Sequence, residues 1–476
     1  MRDRTARAWL LGAALGVALL APAGAAAQDA AIRDWPAFGG DLQSSSANPR
    51  ATGLTAANIA RLSRRQVMLD GVVDASAIYL HGVVVHGGPH DAIFLTTSYG
   101  KTVAVDAGSG ELLWEYTPAS YAKLAGTRQF TNSTPVADPD RQAIYAASPD
   151  GYIQRLAVSD GRLLWRTAIT ELPQREKMDS PLKLFQGHLI AVTAGYIGDA
   201  APYQGHIAIL DSASGQLLHV WNSLCSDHTG LMQPSTCRQS GSAIWGRAGA
   251  VIDPTAGHIF IATGNGEWNG KTDWGDAIIE LNADATEMVG NYTPTNTEEL
   301  NDLDRDLGST SPVLLGSSLA QGGKDGKIRL LSRSALVGTT PHKDHERQIV
   351  ATPSGTDLFT QPAVWQHAGQ TWMFAADNGG TAAWTLQNDE LRQQWRNANG
   401  GTSPFVTEGL LFVYAPEGGL NVYEAASGQR IARLPCGPGH WNSPIVVDGR
   451  IILPEGDANG RSTTGVLDIW SLPAGG

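Results

Sequence analysis

The chain is written in short alternating strands broken by tight polar turns. The stretch "KTVAVDAGSGELLWEY" (Lys101 to Tyr116) is an alternating apolar run, a turn carrying Asp, Ser and Gly, and a second run that includes Trp. It returns as "YIQRLAVSDGRLLWRT" from Tyr152, "HIAILDSASGQLLHVW" from His206 and "LNVYEAASGQRIARL" from Leu420. Weaker copies stand at "AIIELNADATEMVGNY", "KIRLLSRSALVG", "TAAWTLQNDELRQQW" and "GVLDIWSL". A period of two on either side of an Asp/Gly turn predicts β-hairpins. Copies about 40 to 70 residues apart along the whole chain have the period of four-stranded propeller blades. Eight copies predict an all-β, eight-bladed β-propeller, with the segment near residues 34–80 closing the ring against the last blade. Closure removes the exposed strand edges that an open array would present.

A second recurrent element precedes the hairpins: "DASAIYL", "NSTPVAD", "DSPLKLF", "GSTSPVLL", "TQPAVW", "GTSPFVTEG" and "WNSPIVVDG". Equivalent residues of successive blades are related by rotation about one axis, so those entering the innermost strands converge on the central channel. Asp74, Asn132, Asp179, Asp304 or Asp306, Gln361, Thr402 and Asn442 are therefore expected to face one another. Such a polar ring needs a ligand, ion or water to satisfy it.

Residues 1–27 have the layout of a cleaved secretory signal: Arg2, Arg4 and Arg7, an uncharged run from Trp9 to Leu20, then Pro22 and the small residues Ala25 and Ala27. The mature chain, 28–476, is expected to be one propeller domain, periplasmic or secreted, without a membrane span. Three arginines and one aspartate leave with the signal, so a net charge of −12 becomes −14. This makes the chain a poor partner for nucleic acid or anionic lipid. In an oxidising compartment Cys225 and Cys237, flanking "SDHTGLMQPST", are expected to pair, the alternative being two free thiols; Cys436 is left over and expected to be buried or weakly reactive.

Two segments carry more polar chemistry than hairpins need. "IFIATGNGEWNGKTDWGDAIIELN" (Ile259 to Asn282) reads either as an Asn-Gly turn or as a site loop aiming Asn265 into the channel, with Trp268 and Trp274 walling the mouth. Asp302, Asp304 and Asp306 fall on one side if their stretch is extended, giving either a solvated acidic loop or a cation site suited to calcium. An EF-hand is excluded, because Leu307 stands at the glycine position and Val313 at that of the closing Glu. His342 and His345 of "HKDHE" read as part of a solvated loop rather than a metal pair. No GxSxG elbow, Walker loop or dinucleotide fingerprint is present.

The hairpin consensus, the opening "DWPAFGGD" (Asp34 to Asp41) and "IFIATGNGEWNG" resemble the quinoprotein dehydrogenase superfamily. The resemblance implies an eight-bladed propeller holding pyrroloquinoline quinone (PQQ) and Ca²⁺ in its channel. It makes Asn265 a metal ligand and Asp304 of "NDLDRDLGS" the general base and a metal ligand, with Asp306 and Asp199 as further ligands. It makes Lys324 of "GGKDGK" a contact to the quinone oxygens, Arg128 and Asp74 further cofactor contacts, and Trp245 of "SAIWGR" a stacking residue. Asp179 and Asn442 join the cofactor set from the channel ring. Read without the resemblance, Trp245 is equally an inter-blade packing residue and Lys324 a solvated turn residue.

The sequence departs from that pattern at several points. Leu303 stands where the family has Trp before its catalytic acid, Trp245 is shifted by two residues, and Asp199 is the nearest acid to the expected metal-binding Glu. The adjacent-Cys disulfide of many relatives is absent, and no CxxCH exists for haem c. The expected activity is oxidation of an alcohol or sugar hydroxyl with electrons passed to an external acceptor. The competing expectation is a non-catalytic propeller scaffolding a protein or glycan, as in the outer-membrane assembly lipoproteins that share the repeat.

Overall fold

Each hairpin of the repeat folds as written, and its turn chemistry explains the consensus. Asp106 Oδ1 accepts hydrogen bonds from the backbone N–H groups of Gly108 (3.0 Å) and Ser109 (2.7 Å), and Asp211 repeats the arrangement with Ser214 (2.7 Å). Trp at the end of the repeat acts between blades. Trp114 lies over the Gly161 turn of the next blade, where a Cβ would come within 2.6 Å of its ring, and its Nε1 donates to Val158 O at 2.8 Å. Trp395 does the same over Gly428 and donates to Ala425 O at 2.8 Å. The Asp-Ser-Gly turn and the Trp thus form one device, a turn in one blade capped by the aromatic of its neighbour.

The computed structural model describes residues 33–196, 198–338 and 340–473. The expected signal, 1–27, lies outside them. Eight four-stranded antiparallel sheets close into a ring, the eight-bladed propeller that the repeats predict. Blade 1 runs through Ile78–Val85, Gly88–Thr96, Thr102–Asp106 and Leu112–Tyr116. The first strands of blades 2 to 7 are Val136–Ala137, Lys183–Phe185, Val251–Asp253, Val313–Leu315, Ala363–His367 and Phe405–Thr407. Blade 8 combines Ile445–Val447, Arg450–Glu455 and Gly465–Ser471 with an outermost strand, Ser63–Leu69, from the other end of the chain. At that seam Arg64 grips Asp468 through two nitrogens, each at 2.7 Å, and reaches Glu455 at 2.8 Å. Helix is confined to short pieces such as Tyr121–Leu124 and Thr297–Asp302; no helix among the described residues is long and apolar enough to cross a membrane.

Residues 34–52 form a strap along one end of the channel, meeting the first strands in rotational order. Trp35 exchanges two backbone hydrogen bonds with Tyr79 of blade 1, and Pro36 O accepts from Ala137 of blade 2 at 2.8 Å. The Lys183 ammonium of blade 3 donates to Phe38 O, Asp41 O and Ser44 Oγ. Leu42 O accepts from Ile252 of blade 4, and Ser45 O from Val364 of blade 6. Ala47–Asn48 adds a parallel strand to blade 7, and Asn48 Nδ2 donates to Val446 O of blade 8 at 2.9 Å. The free edges of the inner strands at this end are thereby covered.

Candidate functional site

At the other end, the loops entering the innermost strands bring the expected polar ring together in part. Asp74, 1% exposed, accepts from Asn132 Nδ2 (2.7 Å), His440 Nδ1 (2.9 Å) and the backbone N–H groups of Trp441 (2.7 Å) and Ala458 (3.1 Å). Burial works against its charge, but these donors hold its carboxyl below the ordinary range. Asn442 is buried and donates to Val73 O while accepting from His440 N. Asp179 pairs with Lys177 at 2.9 Å, and its backbone carbonyl accepts from Arg247.

The loop after strand His258–Ala262 is placed by glycine. A Cβ on Gly264 would fall against Asp306 Oδ1, so glycine there lets Asp306 approach and accept from Asn265 N at 2.6 Å. Asn265 Nδ2 donates to Asp304 Oδ1 at 2.8 Å, and Lys324 Nζ meets the same oxygen at 2.9 Å while also pairing with Asp306. Asp306 is buried, whereas the Asp304 side chain is 74% exposed. Partial burial disfavours the Lys324 ammonium, but the two carboxylates raise it above its ordinary value. Asp199 hydrogen-bonds Tyr203 and lies close enough to feel the charges of Asp306, Lys324 and Asp304. Behind this group Asp276 is fully buried; burial raises its carboxyl well above the usual range, Asp306 adds to that, and Leu307 N donates to it at 2.9 Å.

Trp245 links the two halves. Lys324 Nζ lies 5.4 Å from its ring centre on one side, while Phe359 (5.9 Å) and Trp441 (6.0 Å) pack against it. These aromatic residues line a cavity of about 320 Å³ with Arg247, Thr402 and His440, within the size range of ligand pockets. Arg247 is 1% exposed, yet its Nε and Nη2 have no partner among the described residues; Nη1 donates to Asp179 O at 3.0 Å. Burial lowers the guanidinium below its ordinary value, opposed by Asp179 and Asp74. Its Cζ lies 5.2 Å from the Trp441 ring and 5.7 Å from that of Phe38, so the strap forms the floor beneath it. Arg128 stands apart, lining a second, larger cavity of about 870 Å³.

Several sequence expectations are corrected. Asp302, Asp304 and Asp306 do not lie along an extended run, because Thr297–Asp302 is helical and Asp304 turns through φ 53°. Trp274 does not wall the mouth: it is 1% exposed within a core cluster between blades 3 and 4, donating to Ser226, and the partly buried Trp268 packs against that cluster. His342 is not solvated; it is buried and bonded to Thr293 and to Val337 O. Cys225 and Cys237 are disulfide-bonded, as expected, and burial pushes the Cys436 thiol up to about 12. Sequence reasoning missed Arg247, His440, Trp441 and Phe359. Arg247 was within reach, since the recurrent element precedes seven hairpins and Arg247 stands where the fourth blade would supply its member.

The cavity fits a flat, anionic aromatic group: it offers indole faces and two unpaired guanidinium nitrogens. The oxygens of Asp304, Asp306 and Asn265 are hard donors of the kind calcium takes, although a cation there would compete with the Lys324 ammonium for the same carboxylates.

Comparison with known proteins agrees with this fold. Residues 60–233 match the family described as outer membrane protein assembly factor BamB. A polyvinylalcohol dehydrogenase from a Pseudomonas species is 24% identical over 269 residues, 52% of this chain and 38% of that protein, so the chain matches well under half of that relative's length. The crystal structure of a quinohemoprotein alcohol dehydrogenase from Comamonas testosteroni superposes with TM-score 0.68 at 16% identity, covering 94% of this chain and 82% of the other. BamB from Moraxella catarrhalis superposes with TM-score 0.56 at 14% identity, covering 86% and 99%. Repeat and fold together are similar to those of the PQQ-like β-propellers of the quinoprotein dehydrogenase superfamily.

Proposed function

We propose that the chain is a PQQ- and Ca²⁺-dependent oxidoreductase that oxidises an alcohol or sugar hydroxyl and passes electrons to an external acceptor. The observation that carries this reading is Arg247, a buried guanidinium with two unpartnered nitrogens beside an aromatic-walled cavity. A buried donor without a partner costs about 1 to 3 kcal/mol, a cost that a bound carboxylate or carbonyl oxygen removes. When bound, PQQ supplies a two-electron acceptor for the hydride of the carbinol carbon, and Ca²⁺ a Lewis acid.

The chain's own residues do the rest. Asp304 Oδ1 is fixed by Asn265 and Lys324, leaving Oδ2 at the exposed mouth to accept the hydroxyl proton. Trp245 and Trp441 would hold the cofactor's ring, and Arg247 and Lys324 would donate to its oxygens. Asp74, Asp179 and Asn442 organise the surrounding ring, whereas Arg128, expected as a further cofactor contact, lines the larger cavity instead. Asn265, Asp304, Asp306 and Asp199 are the residues that would hold Ca²⁺. The Cys225–Cys237 disulfide supports a periplasmic or secreted location. The similarity to dehydrogenases acting on alcohols supports the substrate class.

A scaffold reading has its own observation. Trp245, Phe359 and Trp441 pack on one another, and Lys324 neutralises the acids without a metal. One experiment separates the two: titrate the purified chain with PQQ and Ca²⁺, follow binding by absorbance, then measure dye reduction across alcohols and sugars. Saturable binding with substrate-dependent reduction is expected. Absence of PQQ binding at micromolar concentration leaves the scaffold.

A further inference from the structure

The larger cavity at the channel mouth, about 870 Å³, is lined by Lys123, Arg128, Arg175 and Arg461. None of the four side chains forms an ion pair among the described residues, whereas Arg155, Arg329 and Arg333 each meet a carboxylate within 3 Å. The one acid lining the cavity, Asp150, is already held by Arg166 at 2.5 Å. All four side chains are exposed; what sets the basin apart is four cations lining one concave surface with a single acid that is already paired, in a chain with 46 acids to 34 lysines and arginines. Their mutual repulsion is relieved only by screening or by an anion.

The backbone at Arg461 points the same way. Arg461 follows the turn Ala458–Gly460 in a left-handed conformation, φ 55°, which costs a non-glycine residue free energy. Arg141 is the other arginine held so, and its guanidinium is used in an ion pair with Asp34 at 2.8 Å; that of Arg461 meets no carboxylate among the described residues. The hydroxyl of Tyr196, which also lines the basin, is buried and has no hydrogen-bond partner among the described residues. The same Ala458–Gly460 turn donates from Ala458 N to Asp74, which also accepts from His440 of the aromatic cavity, so a short chain of hydrogen bonds connects the two.

We infer that the basin binds a hydroxylated anion. Resting on the oxidoreductase reading above, this makes the substrate an acidic sugar or a short oligomer of acidic sugars rather than a neutral alcohol. The flat cavity takes the cofactor, and the wide basic one takes the carboxylates of the substrate.

The test is calorimetric titration of the full chain, loaded with PQQ and Ca²⁺, with trigalacturonate, maltotriose and glucose 6-phosphate, for wild type and for Arg175→Gln combined with Arg461→Gln. Lys123 and Arg128 are left intact, so that the double variant removes two of the four cations lining the basin. Trigalacturonate is expected to bind at least about tenfold more tightly than maltotriose, and to lose about tenfold in the double variant, the scale of a charged hydrogen bond. Binding is also expected to weaken with salt, while maltotriose is unaffected by the substitutions. Tighter binding of glucose 6-phosphate than of trigalacturonate would keep the anion site and identify the anion as phosphate. Equal binding of the charged and neutral trisaccharides, no change in the double variant, or displacement of PQQ absorbance by trigalacturonate would overturn the inference. If neutral alcohols are oxidised while anions fail to bind, the inference falls alone; if anions bind and nothing is oxidised, the oxidoreductase reading falls and takes the substrate assignment with it, leaving only the anion site.

Discussion

The two ends of the channel treat buried polar groups in opposite ways. At the strap end Lys183 is buried with its ammonium shared among three oxygens. At the mouth Arg247 is equally buried and keeps two nitrogens without partners, beside the unpaired Thr402 hydroxyl. Both cations are disfavoured by burial, Lys183 being pushed down to about 8. The difference is in what satisfies them: the chain itself at the strap, something from outside at the mouth. One end was built to stay shut and the other to be completed, which is why the strap reads as stability and the mouth as function.

Substitutions that separate these roles follow in order of size. Lys183→Met removes the three hydrogen bonds that a buried ammonium makes to the strap, so a loss of about 3 kcal/mol in unfolding free energy is expected, with PQQ affinity of the remaining folded protein unchanged. Chemical denaturation and PQQ titration measure the two effects; an undiminished stability would break the comparison from the strap side.

Asp304→Asn is the mirror image, with melting temperature nearly constant and PQQ-dependent dye reduction falling by at least about 100-fold, roughly 2.7 kcal/mol of barrier. Full activity in that variant would remove Asp304 as the base while leaving the propeller untouched. Arg247→Met sharpens the contrast with Lys183, because the group it removes was only partly satisfied. Stability is expected to change by less than about 1 kcal/mol and PQQ affinity to drop about tenfold. A loss of stability as large as that of Lys183→Met would show Arg247 to be structural.

The smallest effect is a pH slope at the blade 8 seam. Burial pushes the Asp468 carboxyl up from 3.8 to about 7, with Glu455 adding to the shift and Arg64 opposing it. A raised acid means that the folded state binds more protons than the unfolded state between those values. Stability is therefore expected to be greatest near pH 4, to fall as pH rises towards 7 and to level off above it. Melting temperatures across that range should show the decline in wild type and a flatter profile in Asp468→Asn.

The blades were legible in the sequence because their signal is local. Period-two alternation, the Asp-Ser-Gly turn and the Trp that caps it all fall within one hairpin, and repetition marked eight of them along the chain. The disulfide was legible for a similar reason, two cysteines flanking one polar insertion. Rotational equivalence of the repeats was enough to assign Asp74, Asn132 and Asn442 to loops that do converge on the channel.

What the repeat could not convey was decided by closure of the ring. Whether Asp302 to Asp306 is extended depends on the helix Thr297–Asp302, which the connection between blades 4 and 5 forms with Leu300 buried. Whether Trp274 faces the channel or the core depends on a neighbouring blade more than 40 residues away in sequence. The pairing of Trp245 with Trp441, of Phe38 beneath Arg247, and of His440 with Asp74 joins residues from distant parts of the chain. Hydrogen bonding and burial within a hairpin are set by near neighbours, so sequence determined the strands and turns; the charge, exposure and partners of a channel side chain are set by all eight blades at once, and only the closed ring determined those.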